Sequence, residues 1–228
     1  MCGRYTSTVV DPDIIAQAFD LDLPPDTPSL PARYNIAPTQ DVMTVVKDEE
    51  NNTRLAWMRW GLIPFWAKDP AIGNRLINAR SETLAEKPSF RAAYRYRRCL
   101  VVADGFYEWK GNDDGSKTPY YIRLKDGGLF GMSGLWEVWT DKQTGEVRTT
   151  CTIITTSPNE LVQPIHNRMT VILPREHYDT WLDRNTTDTR QLQPLLQPYP
   201  AEAMTAHPVS TRVNNPRHEG PELIEPIA

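Results

Sequence analysis

Three cysteines, Cys2, Cys99 and Cys151, are all that the 228 residues contain. They lie far apart, with no Cys-x-x-Cys pair and no histidine at ligand spacing. Neither a disulfide framework nor a structural zinc is expected from such a set, and no other metal site is expected. Long apolar runs are missing too, since nothing approaches the roughly 18 residues that a membrane-spanning helix needs. The opening segment, Met1-Cys2-Gly3-Arg4-Tyr5-Thr6-Ser7, lacks a basic stretch followed by an apolar one. No secretory signal is therefore expected, and the cytoplasm is the expected compartment. Glycine is scarce, 12 residues against 20 prolines, which favours rigid turns and short elements over long helices. No Gly-rich phosphate loop, dinucleotide fingerprint, Gly-x-Ser-x-Gly or His-Glu-x-x-His is present, so the chemistries those motifs carry are set aside. No organic cofactor is expected.

What remains is the composition of an ordinary globular protein, with 39% hydrophobic and 24% charged residues. One domain over 1–228 is the first expectation and two small ones the second; no Gly/Ser linker divides the chain. The formal net charge is -4, but the cations are unevenly placed. Between positions 75 and 98 stand Arg75, Arg80, Lys87, Arg91, Arg95, Arg97 and Arg98, against only Glu82 and Glu86. Such a stripe is the electrostatic footprint of a nucleic-acid binder. Taken alone it equally describes a solvated surface, which is the commoner origin of charge runs.

Short β segments dominate. Alternation, β-branching and apolar runs place strands at 43–47, 54–62, 99–102, 106–110, 120–124, 129–139 and 148–155. Helical patches are fewer: 12–19 behind a possible Asp11 cap, 81–86, 175–182 after Pro174, and 189–196. Strands interrupted by short helices, without regular βαβ alternation, predict an α+β fold. A single domain is expected, with a curled, mainly antiparallel β-sheet core, open-barrel-like, and short flanking helices.

The most unusual chemistry is at the start. An initiator methionine is generally removed when the next residue is small, which would leave Cys2 as the first residue of the mature chain. Its α-amine, with an ordinary pKa of about 7.7–8.0, is substantially neutral at physiological pH and a better nucleophile than lysine. The thiol two bonds away makes the residue a 1,2-aminothiol, which condenses with an aldehyde to an imine and then closes a thiazolidine ring. The alternative is an inert terminal residue.

Seven segments carry a resemblance: Met1-Cys2-Gly3-Arg4-Tyr5, Arg33-Tyr34-Asn35-Ile36-Ala37-Pro38, Trp60-Gly61-Leu62-Ile63-Pro64, Ile77-Asn78-Ala79-Arg80-Ser81-Glu82-Thr83, Ala103-Asp104-Gly105-Phe106-Tyr107-Glu108-Trp109-Lys110, Ile165-His166-Asn167-Arg168-Met169 and Pro221-Glu222-Leu223-Ile224. In this order they resemble the SRAP (SOS response-associated peptidase) family. The resemblance implies a monomeric protein of the DNA damage response, without metal or membrane, whose partner is single-stranded DNA carrying abasic sites. It would crosslink to those sites through Cys2 and thereby shield them, working in the cytoplasm and at the nucleoid when bound to DNA. Removal of Met1 by autopeptidase action and a weak abasic-site lyase activity would accompany the crosslink. One departure stands out: the family's usual His-Asp-Arg-Met-Pro reads His166-Asn167-Arg168-Met169-Thr170 here.

Chemistry gives the matched residues their expected roles. An abasic deoxyribose is mostly a closed hemiacetal, so a proton must be moved to open it; His166 suits that at neutral pH. Glu108, between aromatics, would have a raised pKa and serve as general acid/base beside the Cys2 amine. Asn78, neutral and bidentate, would orient the sugar or the amine. Arg4, Arg80 and Arg168 would clamp phosphates and fix register without reading sequence. Trp66, between Pro64 and the charged Lys68-Asp69, is the expected exposed stacking or wedge residue, whereas Trp57 and Trp60 fit a core strand. Three other activities share parts of this set: an N-terminal-nucleophile peptidase using Cys2, a non-covalent single-strand binder that does not need Cys2, and a lyase cleaving DNA by β-elimination.

Overall fold

β-Branched and aromatic residues held between proline-rich turns form thirteen strands among the described residues, 2–227, of the computed structural model. The first five are β1 (Arg4–Ser7), β2 (Arg33–Ile36), β3 (Asp41–Lys47), β4 (Thr53–Trp60) and β5 (Asn78–Arg80). There follow β6 (Arg98–Ala103), β7 (Gly105–Gly111), β8 (Lys117–Leu124), β9 (Phe130–Thr140) and β10 (Val147–Thr156). The last are the short β11 (Met169–Thr170) and β12 (Ile172–Leu173), then β13 (Met204–Pro208). Four short α-helices accompany them: α1 (Pro12–Phe19), α2 (Arg91–Tyr96), α3 (Tyr178–Leu182) and α4 (Thr189–Leu192). None of the described helices is long and apolar enough to cross a membrane.

Two sheets result. The first has the order β13-β8-β7-β1-β2 and is antiparallel throughout. In the second, β4, β3, β6, β9 and β10 pair in sequence, and a parallel contact from β10 back to β4 closes them into a five-stranded ring. Closure leaves those strands no long open edge. The α+β class and the curled, mainly antiparallel core agree with the pattern read from the sequence. The parallel seam, which pairs Thr150 with Arg59 and Cys151 with Trp60, has no counterpart in that pattern, and it turns an open curl into a closed barrel.

β6 shows why the apolar run at 99–102 does not alternate with polar residues. Cys99, Val101 and Ala103 enter the core shared with the first sheet, alongside Tyr5, Phe106 and Ile122. Leu100 and Val102 enter a second core under the helices, with Ile15, Tyr94 and Trp181. A strand buried on both faces carries apolar residues at both parities. Arg98, buried at its start, donates to the carbonyls of Trp181 at 2.5 Å, Tyr94 at 3.0 Å and Arg95 at 2.6 Å, and to that of Asp183, fastening α2 and α3 to the barrel.

α1 matches its predicted bounds, with Asp11 accepting from the Asp13 amide at 2.9 Å. The helix expected at 81–86 is only a 3-10 turn over Ser81–Thr83. The true helix, α2, lies where the sequence shows mainly cations, since only Ala93 and Tyr94 face inward. Trp57 is another correction. It is 49% exposed, while Trp60 is fully buried, because Arg59-Trp60 ends β4 at the parallel seam and only Trp60 points into the core.

The C-terminal segment straps the first sheet. The buried Asn35 amide lies 3.2, 3.0 and 3.0 Å from the carbonyls of Val213, Asn215 and His218, which its N–H groups serve, and its oxygen accepts from Arg4 at 2.9 Å. Replacing it leaves buried acceptors unsatisfied, each costing about 1–3 kcal/mol. Asn35→Ala is therefore expected to lower the unfolding free energy by about 2–4 kcal/mol in denaturant titration. It should also expose 209–224 to limited proteolysis before the rest of the chain.

Candidate active site

β1 sits inside its sheet, between β2 and β7, so the chain from Cys2 to Ser7 is held within the molecule. Its far end is clamped by Asp104, whose carboxylate accepts from Thr6 Oγ1 at 2.5 Å, from the Thr8 amide at 2.5 Å and from Thr8 Oγ1 at 2.6 Å. Gly105 follows because a Cβ there would lie 2.2 Å from Tyr121 Oη. Antiparallel register pairs Arg4 with Tyr107 and Tyr5 with Phe106, and continuing it by one residue brings the Cys2-Gly3 end of the chain to Glu108. Cys2 is 0% exposed and belongs to the core shared by the two sheets.

From the barrel side, β5 lies parallel to β10, Asn78 opposite Ile153. Trp60 Nε1 donates to the Ile77 carbonyl at 2.8 Å and fixes the approach to Asn78. Asn78 Nδ2 then donates to the Cys2 carbonyl at 2.8 Å. The amide oxygen of the same side chain is buried and accepts no hydrogen bond among the described residues.

Glu108 is 1% exposed, and its Oε2 lies 3.9 Å from His166 Nδ1. Burial pushes the Glu108 carboxyl up to about 7, so it is divided between acid and base forms at neutral pH. Burial lowers the pKa of His166, which leaves the imidazole mostly neutral there. Its Nδ1 is 3.0 Å from both the amide nitrogen and the carbonyl oxygen of Arg168. One backbone unit thus offers a donor to the neutral nitrogen and an acceptor to the protonated one, steadying the ring in either state. Burial first, and the charge of Glu108 second, push the Cys2 thiol up, and its S–H points to the Arg4 carbonyl at 3.8 Å. The sulfur is held as a thiol.

The arginines divide unequally. Arg4 donates to Asn35, to the Val213 carbonyl at 2.7 Å and to the Asn214 carbonyl at 3.2 Å, so its guanidinium is tied to the C-terminal strap. Arg168 forms a fork on Glu82, 2.5 and 2.9 Å, and reaches the Thr155 carbonyl at 2.6 Å. Sequence reasoning named Arg168 but not Glu82, although both lie in the matched segments. Arg80 is exposed at the end of β5, two residues from Asn78. Trp66 is 47% exposed and its neighbour Phe65 58%. Their turn is held by Trp139 Nε1 on the Ala67 carbonyl at 2.8 Å. Phe65 lies in the same aromatic segment, from which the sequence singled out Trp66 alone.

The family model described as SOS response associated peptidase (SRAP) matches residues 1–216. The chain belongs to the SRAP family. It is 50% identical over 226 residues to the Abasic site processing protein YoqW of Bacillus subtilis (strain 168), covering 99% of both chains. It is 32% identical over 266 residues to the Abasic site processing protein HMCES of Xenopus tropicalis, covering 100% of this chain and 78% of that one. A crystal structure of a protein from Bacteroides thetaiotaomicron superposes with a TM-score of 0.85 at 28% identity, covering 100% of both chains. The unusual Asn167 and Thr170 of this SRAP chain leave His166 in place. Asn167 is exposed, Thr170 is buried in β11, and the imidazole is gripped by the backbone of Arg168. Among the described residues, no group of three or more His, Cys, Asp or Glu side chains could hold a metal ion.

A buried carboxyl with a raised pKa destabilises the fold where it is ionised. The folded state holds the proton between the unfolded value of 4.5 and about 7, so stability falls as pH rises through that window. Glu108→Gln is therefore expected to stabilise the protein by about 3 kcal/mol at pH ~9, with the gain gone by pH ~4. Urea melts of both proteins across pH read this directly.

Proposed function

We propose that this protein processes abasic sites in single-stranded DNA by forming a thiazolidine crosslink through the α-amine and thiol of Cys2, once Met1 has been removed. The observation that carries the proposal is the convergence on a buried Cys2 of one hydrogen-bonding amide, Asn78, and one proton-exchanging pair, Glu108 and His166. The relatives are named for abasic-site processing, and the geometry supports that chemistry in this chain.

The steps balance without a cofactor. His166 relays the hemiacetal hydroxyl proton to the ring oxygen, opening the sugar to its aldehyde. The free amine adds to the aldehyde carbon, and loss of water from the adduct gives an imine. Glu108, poised near neutral pH, takes the amine proton and returns it to the departing hydroxyl, as a general acid/base must. Sulfur then adds to the imine carbon while the thiol proton passes to nitrogen, closing the five-membered ring. The raised thiol pKa suits this order, because the protonated sulfur leaves the first attack to nitrogen and brings its own proton to the second. Asn78, holding the Cys2 carbonyl, keeps the residue from swinging away, and its second amide atom faces no competitor among the described residues. Ring closure also removes the imine that β-elimination requires, so lyase activity stays weak. The peptidase chemistry of the family name is here the release of Met1. All of these groups come from one chain, so a monomer suffices. Arg80 contacts a phosphate, Trp66 and Phe65 meet unstacked bases, and Arg4 and Arg168 reach phosphate only with groups left over from their internal bonds.

Denaturing electrophoresis with a single-stranded oligonucleotide carrying one abasic site tests this. Cys2→Ala is expected to abolish the heat-stable adduct while sparing most non-covalent binding. Cys2→Ser should give an imine that borohydride traps. An N-terminal tag that retains Met1 should prevent the adduct, and a C-terminal tag should not. Wild-type adduct formation by a protein shown by intact mass to carry Met1 would remove the mechanism.

Single-turnover crosslinking rates separate the acid/base pair from binding. Glu108→Gln and His166→Ala should each slow the adduct by about 10²–10⁴ at unchanged DNA affinity. Arg80→Ala should weaken binding and flatten its salt dependence by about one phosphate contact.

A further inference from the structure

The cation stripe at 75–98 is only partly used by this site. Arg98 is buried on main-chain carbonyls, and Arg97 pairs with Glu137 at 2.7 Å. Arg91 and Arg95, one helical turn apart on α2, are exposed, opposite the buried Ala93 and Tyr94. With Ala85, Tyr96, Asp188 and Arg190 they line an open groove of about 620 Å³ between α2 and α4. Asp188, the one acid in its wall, caps α4 through the Arg190 amide at 3.0 Å and pairs with the Arg190 guanidinium at 2.7 Å. Its charge is answered within the wall. Among the described residues neither Arg91 nor Arg95 forms a salt bridge. The Arg95 guanidinium lies over the Tyr96 ring, 5.3 Å from its centroid, and that ring is itself exposed.

Resting on the crosslinking function proposed above, we propose that this groove is a second binding surface for single-stranded DNA, engaging the strand that flanks the lesion. Arg91 and Arg95 would contact successive phosphates, and the Arg95–Tyr96 pair offers a stacking face to a base. Spaced cations with an interleaved aromatic are what sequence-independent single-strand binding requires. The groove is also connected to the reaction centre. Ala85 is seven residues from Asn78, a reach of at most about 25 Å along the chain. Gln193, following α4, donates to the Ser81 carbonyl at 3.3 Å, tying the groove's far wall to the turn after Arg80. A strand leaving Cys2 past Arg80 meets the groove next. A free mononucleotide shares the same chemistry, phosphate plus base, and is the competing occupant.

The test uses the double variant Arg91→Ala/Arg95→Ala. Both side chains are exposed and alanine favours helix, so α2 should persist; circular dichroism and the melting temperature confirm it. Fluorescence anisotropy with undamaged single-stranded DNA of about 20 nucleotides, across a salt series, should show the log–log slope reduced by about 1.4, two contacts at about 0.7 each. Arg91→Lys/Arg95→Lys should restore it. Crosslinking of a trinucleotide with a central abasic site, too short to reach the groove, should proceed at the wild-type rate. An unchanged slope in the alanine variant would overturn the proposal. So would an equal loss with the trinucleotide, or dAMP binding by calorimetry that the variant loses while its long-strand slope is retained. Failure of the wild type to crosslink either substrate would refute the crosslinking function instead, and the undamaged-DNA slopes would still decide the groove.

Discussion

The molecule depends on one circuit of contacts that holds Cys2 and β1 inside the seam between two sheets. Tyr5 packs edge-on against Trp60, ring centroids 5.5 Å apart. Trp60 holds the Ile77 carbonyl, and the next residue, Asn78, holds the carbonyl of Cys2. Chain termini usually fray because few contacts oppose their entropy. Here the second residue is as buried as any in the core, since β1 is flanked on both sides and its two ends are tied by Asp104 and Asn78. A residue on a frayed terminus would sample many positions, whereas Cys2 has a fixed address.

Burial that fixes the position also sets the chemistry. The same desolvation raises Glu108 and the Cys2 thiol and lowers His166, and each shift favours the neutral form. A site built from neutral groups can pass protons around without stranding a charge in the core. The penalty appears as a carboxyl whose ionisation weakens the fold near neutral pH.

Arginine serves two separate purposes. Arg98, Arg4 and Arg168 are joinery: their planar forks satisfy several carbonyls or a carboxylate at once, which a lysine could not do. Arg80, Arg91 and Arg95 instead face solvent. The acidic net charge conceals this division because most acids are spread over other surfaces, and the uncompensated cations gather on one stretch.

The sequence by itself determined the fold class, most of the long strands and the α1 cap, because period-two patterning and capping chemistry are local properties; the candidate site residues were likewise named from local motifs. The exposure of Trp66 was legible for the same reason, set between a proline and charged residues. Only the tertiary structure decided the closed barrel, since the parallel β10–β4 seam joins segments that no local pattern relates. It also decided that Trp57 is outside and Trp60 inside, and that Arg4 and Arg168 are bonded internally. α2 was hidden because a helix with two inward residues shows no apolar stripe. The meeting of Asn78, Glu108 and His166 at Cys2 likewise belongs to the fold alone: these residues are 76, 106 and 164 positions from Cys2 in the chain, and only strand register and the packing of two sheets bring them together.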